Sequence, residues 1–149
     1  MAHYPHYKKY GAELHPDYYS AALTLLVSEG KCEVVEILGT DYRNALQKLA
    51  DCDITLGKIL PNVGWFGRFE LEAMVLGKPV VCYVSDQLYQ KYEPPVYRTS
   101  KNTLYEDLLA LISDRNEQQR LSREGSRYVK EKHDVYALAK QLDGYYEGL

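Results

Sequence analysis

At 149 residues, 46% of them hydrophobic and 26% charged, the chain has the profile of one water-soluble globular domain able to bury a core. Its formal charge of −3, from 18 Lys and Arg against 21 Asp and Glu, argues against nucleic acid as the main partner, because no cationic excess exists to neutralise phosphates. The apolar runs at 21–27 and 79–84 are too short for a membrane span, and the first residues lack a signal-peptide core, so a cytoplasmic protein with reduced, buried Cys32, Cys52 and Cys82 is expected.

Residues 1–16 read as an irregular, tyrosine-rich segment broken by Pro5, Gly11 and Pro16. From 17 to 149 the pattern is that of one α/β unit. Asp17 is placed to cap a helix with Tyr18, Ala22, Leu25 and Leu26 on one face and Gly30 closing it. The β-branched stretch from Cys32 to Leu38 reads as a strand ending at Gly39. Asp41 can cap a helix whose apolar positions are Tyr42, Ala45, Leu46 and Leu49, and Asp53 to Leu56 follows as a short strand. After the breakers Pro61, Asn62 and Gly64, a helix is expected from Phe66 or Gly67 to Gly77. Pro79 to Val84 is an apolar run of the kind buried on both faces of a parallel sheet, and Val96 to Arg98 is a further short strand. Thr103 and Glu106 form a capping-box pattern for a helix through Ile112. Asn116 is placed to cap a charged helix to about Lys132, and Val135 to Tyr145 make a last amphipathic one. Alternating strands and helices imply a Rossmann-like parallel sheet covered on both faces, with ligands at the carboxyl ends of its strands. The loops after Leu38, Leu56, Val84 and Arg98 are therefore the places to look.

The most informative stretch is Gly64-Trp65-Phe66-Gly67-Arg68-Phe69-Glu70-Leu71-Glu72-Ala73-Met74, continuing to Gly77-Lys78-Pro79-Val80-Val81. Glycines before a helix let backbone approach a ligand, and first-turn N–H groups favour an anion there. Glu72 is placed to accept hydrogen bonds from a ribose diol, or else is a solvated helix residue. Arg68 opposes the helix dipole and so reads either as a ligand for phosphate or a partner carboxylate, or as plain surface. Lys58, after a strand end, is a candidate phosphate contact; Glu70 reads as surface and Lys78 as a turn residue. His3-x-x-His6 has no third ligand at metal-binding spacing, so no metal is expected. The tyrosines of the first 19 residues either stack on a base or sugar or, the preferred reading, mark an interface.

In register, Phe66-Gly67, Glu72-Ala73-Met74 and Gly77-Lys78-Pro79-Val80-Val81 resemble the donor-binding motif of retaining, group 1 glycosyltransferases of the GT-B fold, in a Gly-Trp-Tyr-Gly-like variant of the loop. Leu49-Ala50-Asp51 is similar to that family's strand entry, and the likeness extends over about 17–149. It implies a nucleotide-diphosphate-sugar-binding C-terminal domain, half of a GT-B fold. Glu72 would hold the ribose, the backbone at Phe66, Gly67 and Arg68 would face the diphosphate, and Gly39, Thr40 and Asp41 would lie near the base. Lys8 and Lys9 are candidates for the phosphate-gripping cations. No cofactor or metal is implied.

The departures are specific. Gly64 stands where the family's first glutamate handles the sugar, Trp65 replaces a glycine, and Ser85-Asp86 stand in place of a Gly-Gly-x-x-Glu loop. The resemblance places the domain's first strand before His3 and an acceptor-binding domain before that, so the chain reads as a truncated half. Residues 2–7 are then expected to substitute partly for the first strand, or the chain to form a homo-oligomer. The leading function is donor binding for a glycosyltransferase, with a non-catalytic domain of the same fold as the alternative. A receiver-like signalling domain is weakened by the lack of a phosphoacceptor acidic cluster.

Overall fold

In the computed structural model, which describes residues 1–132, Ala2–His3 (β1), Val35–Glu36 (β2), Thr55–Leu56 (β3), Val80–Cys82 (β4) and Tyr97–Arg98 (β5) pair in parallel. The sheet order is β2-β1-β3-β4-β5. Ala2 is in register with both Val35 and Thr55, Thr55 with Val80, and Val81 with Tyr97. The chain steps outward from β1 to β2, then returns past β1 to β3, so strand order reverses between β1 and β3. Such a reversal opens a crevice at the carboxyl ends of the two strands.

Between the strands run His6–Tyr10 (α1), Ser20–Ser28 (α2), Tyr42–Ala50 (α3), Arg68–Val75 (α4) and Asp86–Tyr92 (α5), followed by Leu104–Ser113 (α6) and Arg115–Lys132 (α7). Two cores cover the two faces of the sheet. Leu23 and Leu26 of α2 and Leu104, Leu108 and Leu111 of α6 pack with Leu56 and Val81 on one. Leu49 of α3 and Ala73 and Met74 of α4 pack with Ala2, Val80 and Cys82 on the other. The alternation of Val80, Val81 and Cys82 between cores is the period of two of a strand buried on both faces. The α/β parallel-sheet class read from the sequence is present.

The N-terminal segment departs from expectation. Residues 2–3 are an interior strand between β2 and β3, and 6–10 a helix, where an irregular stretch was expected. Ala2 N donates to Ile54 O at 2.8 Å, and Ile37 N to His3 O at 2.9 Å, so long-range backbone bonds make this strand. Residues 2 and 3 thus stand as the first strand, in line with the expectation that residues 2–7 substitute for it in part. The strand expected from Cys32 to Leu38 shortens to Val35–Glu36 because it is an edge, with both side chains exposed. Helix α5 was not anticipated, although Ser85 caps it, its Oγ accepting from Leu88 N at 3.4 Å.

Several caps differ in detail. The Asp41 carboxylate accepts from Asn44 N at 3.0 Å, as its position suggested. Asp17 instead accepts from Tyr19 N and Ser20 N, so α2 starts three residues beyond it. Asp114, not Asn116, caps α7 by accepting from Glu117 N at 3.0 Å. Thr103 makes no backbone cap; its hydroxyl donates to Asp107 Oδ2 at 2.7 Å. The expected helix at 135–145 lies outside the described residues.

Gly77 ends α4 with φ of 70°, while Gly77 N donates to Met74 O at 3.0 Å and Lys78 N to Ala73 O at 2.9 Å. A Cβ there would stand 3.4 Å from Ser122 Oγ, which is tight but movable, so backbone strain is the main cost of a side chain. Gly77→Ala is expected to lower the unfolding free energy by about 1 kcal/mol in urea titrations. An unchanged midpoint would show that the turn tolerates a side chain without strain.

Candidate functional site

A cleft of about 810 Å³ opens at the carboxyl ends of β1, β2 and β3, where the strand order reverses. A second cleft, of about 500 Å³, lies by Met1, Cys32, Asp51 and Arg115, toward the strands' amino ends. Ligands of parallel sheets bind at the carboxyl ends, so the first is the candidate site.

Each wall comes from a connection leaving a strand. The link from β1 supplies Tyr4, and α1 adds His6, Lys8, Lys9 and Tyr10. Gly39 and Thr40 follow β2, and Tyr42 opens α3. Lys58 follows β3, while Arg68, Phe69 and Glu72 come from the first turns of α4. Of the sequence-derived candidates, Glu72, Arg68, Lys58, Gly39 and Thr40 thus share one cleft, and Lys8 and Lys9 join them.

Most of the cations there are already engaged. Lys8 Nζ pairs with Glu36 Oε1 at 2.5 Å. Lys9 Nζ lies 5.7 Å and 5.3 Å from the centroids of the Tyr4 and Tyr10 rings. Arg68 Nε donates to Glu72 Oε1 at 2.7 Å, its guanidinium lies 5.0 Å from the Tyr42 ring, and Tyr42 Oη donates to the same Glu72 oxygen at 3.0 Å. Lys58 differs. It is half-buried, and among the described residues no carboxylate lies within ion-pair distance of its ammonium.

Phe66, Gly67 and Gly64 do not line the cleft. Phe66 is buried in the core beneath α3 and α4. Gly64, with φ of 71°, faces Ser85, where a Cβ would meet the Ser85 Cβ at 3.0 Å. The Gly67 N–H, expected to face a diphosphate, instead donates to Glu70 Oε2 at 2.9 Å. This corrects two expectations, since Glu70 is not a surface residue but is fully buried. Its other oxygen accepts from Lys58 N at 2.7 Å, so one carboxylate ties the β3 loop to the start of α4. An internal anion thereby fills the place that the helix N-terminus would offer a ligand.

Glycine is required at 57 beside that carboxylate, whereas at 67 a side chain would displace only the flexible end of Lys58. A Cβ at Gly57 would stand 2.6 Å from Glu70 Cγ and Oε1, and one at Gly67 2.7 Å from Lys58 Nζ. The Lys58 side chain therefore lies across the bare backbone of Gly67.

Sequence reasoning missed His6, Tyr42 and Phe69 as cleft residues, and no spacing rule would have placed them together. His6 Nδ1 lies 2.9 Å from Tyr4 O, and its ring stacks on His15 at 5.4 Å between centroids. Burial, then the Lys58 charge, lowers the His6 imidazole to about 4. The tyrosines divide. Tyr4 and Tyr10 line the cleft, whereas Tyr19 is buried and accepts from Ile59 N at 2.8 Å, with Tyr7 and Tyr18 packed on that core. For these last three the interface reading is replaced by core packing.

Among the described residues no group of three or more His, Cys, Asp or Glu could hold a metal ion, and no helix is long and apolar enough to cross a membrane. Compared with family models, curated proteins and solved structures, the chain matches none.

Proposed function

We propose that the cleft binds a nucleotide-diphosphate sugar, and that the chain is the donor domain of a glycosyltransferase whose acceptor is held elsewhere. The observation that carries this reading is Lys58, a half-buried ammonium without a carboxylate partner, facing an aromatic-walled cleft at the strand-order reversal. A lysine so placed gains most from an anionic ligand. Glu72 presents a carboxylate to the same space, which suits a ribose diol, and Tyr4, Tyr42 and Phe69 offer ring faces to a base. Phosphate binding falls to side chains here, because Glu70 occupies the backbone donors at Gly67 and Lys58. Stabilising a leaving diphosphate is the chemistry such cations would serve.

Calorimetric titration with UDP, GDP, ADP and their sugar conjugates tests the reading. Saturable binding of one base is expected, weakened about tenfold or more by Lys58→Met and by Glu72→Ala. A folded protein that binds none of them would sink it.

One observation favours a second reading, a non-catalytic domain of the same fold. The position matching the family's first glutamate is Gly64, where a positive φ and a 3.0 Å approach to Ser85 strain any side chain, a carboxylate arm included. Nucleotide-sugar binding without transfer, once an acceptor domain is supplied, would support that alternative.

A further inference from the structure

We propose that His6 and Lys58 together hold the anionic group of the cleft's ligand, and that His6 takes a proton from solvent at Nε2 as that ligand binds. This rests on the reading of the cleft as an anion site, and assigns the seat of the anion within it.

The geometry narrows that seat. Glu70 already accepts from the Gly67 N–H at the start of α4 and from the Lys58 N–H after β3, so those two backbone donors are not offered to a ligand. Lys8 and Arg68 each already meet a carboxylate, Glu36 and Glu72, and Lys9 rests against two tyrosine rings. Lys58 remains, lying across Gly67. The start of α1 brings His6 into the same cleft, half-buried and within the field of the Lys58 ammonium. Its Nδ1 is engaged by Tyr4 O, which fixes the neutral tautomer with the proton on Nδ1 and the lone pair on Nε2. Protonation at Nε2 therefore creates a new donor without breaking an existing hydrogen bond.

The groups facing His6 set its charge state. Tyr4 and His3 flank it from β1 and its exit, Tyr10 stacks on it from α1, His15 from the loop before α2, and Lys58 approaches from the loop after β3. Lys8, Lys9, Arg68 and Glu72 share the cleft. With Lys58 uncompensated, burial and cationic neighbours keep the imidazole neutral, at about 4. An anion beside Lys58 cancels the repulsion and adds an attraction, so the imidazolium form is stabilised and the proton is held at higher pH. One proton is taken from the buffer, and no other bond changes.

The test follows the ring resonances of the four histidines by NMR between about pH 5 and 8, with His6 identified by its loss in His6→Asn. Three samples are compared: tens of millimolar sulfate, chloride at equal ionic strength, and the UDP-, GDP- and ADP-hexoses. None of these anions titrates in that range, so any proton taken up belongs to the protein. The expected result is a rise of about two units or more in the His6 pKa with sulfate or a nucleotide sugar, which brings its titration into that range, absent with chloride and abolished in Lys58→Met. Binding by wild-type protein should tighten about tenfold for each unit of that rise as pH falls, and lose its pH dependence in His6→Asn.

If a nucleotide sugar binds while His6 does not move, this assignment falls and the nucleotide reading stands. If sulfate moves His6 but no nucleotide sugar binds, the anion pair stands and the nucleotide reading falls. If no anion moves His6, the assignment is overturned.

Discussion

Glu70→Ala is expected to cost about 3 kcal/mol of folding stability, a large share of what a domain of this size possesses. The carboxylate is fully buried and is the hydrogen-bond acceptor for both Lys58 N and Gly67 N. Removing it strands two donors at about 1–3 kcal/mol each and leaves a cavity above Gly57, so the two terms add. Glu70→Gln is the informative companion. The amide has the same shape but only one oxygen, so its NH₂ must face one of the two N–H groups, and roughly half the loss should persist. Urea unfolding of the three proteins measures this directly. A midpoint for Glu70→Ala equal to wild type would mean that water satisfies those donors and that the carboxylate does not hold the two loops together. Because the same carboxylate fixes the backbone from which Lys58 projects, Glu70→Gln should also weaken anion binding while the protein remains folded.

The second large effect is a loss of stability in mild acid, set by His3 and His6. Burial lowers the His3 imidazole, which is packed against Tyr19 at 4.6 Å between centroids, and burial with the Lys58 charge lowers His6 to about 4. A depressed histidine is neutral in the fold and takes a proton more readily when unfolded. The stability it contributes is therefore complete above the unfolded value near 6.5 and shrinks as pH falls toward the folded value. A full proton of difference corresponds to about 1.4 kcal/mol per pH unit. His6, being half-exposed, should deliver less than that. Carboxylates enter later: Asp17, Asp41 and Glu117 are held low by hydrogen bonds or Arg120, so their contribution is lost only below the ordinary carboxylate range. Urea midpoints should fall steadily from about pH 7 to 5, and His3→Leu should flatten the slope. A constant midpoint across that interval would show that neither histidine is linked to folding.

Much of the frame was legible because it depends on near neighbours in the chain. The apolar run at β4 announced burial on both faces, and Asp41, Gly30 and Gly77 marked helix ends through local backbone bonds. The interior strand β1 was not legible. Two residues carry no periodicity, and Ala2–His3 is a strand only because residues near 35 and 55 bond to it. Glu70 was misread for a related reason. On the helix it looks like a solvent-facing acid between Phe69 and Leu71, and only the missing side chain at Gly57, distant in sequence, makes room for it. Helix α5, by contrast, had a usable signal in Ser85-Asp86 that the flanking strands overshadowed. For the cleft, residue types after strand ends pointed to Lys58, Arg68 and Glu72, whereas His6 and Tyr42 depend on a strand order that no local pattern encodes.

The fit among Gly57, Lys58, Gly67 and Glu70 has a consequence for how this sequence can change over generations. A methyl group at 57 finds space only where the residue at 70 has already been shortened, and one at 67 only where the lysine has moved or been lost. A side chain at 57 and the length of the residue at 70 are therefore coupled, and their effects on stability should be non-additive. A change at 57 is thus expected to be tolerated only together with a shorter residue at 70.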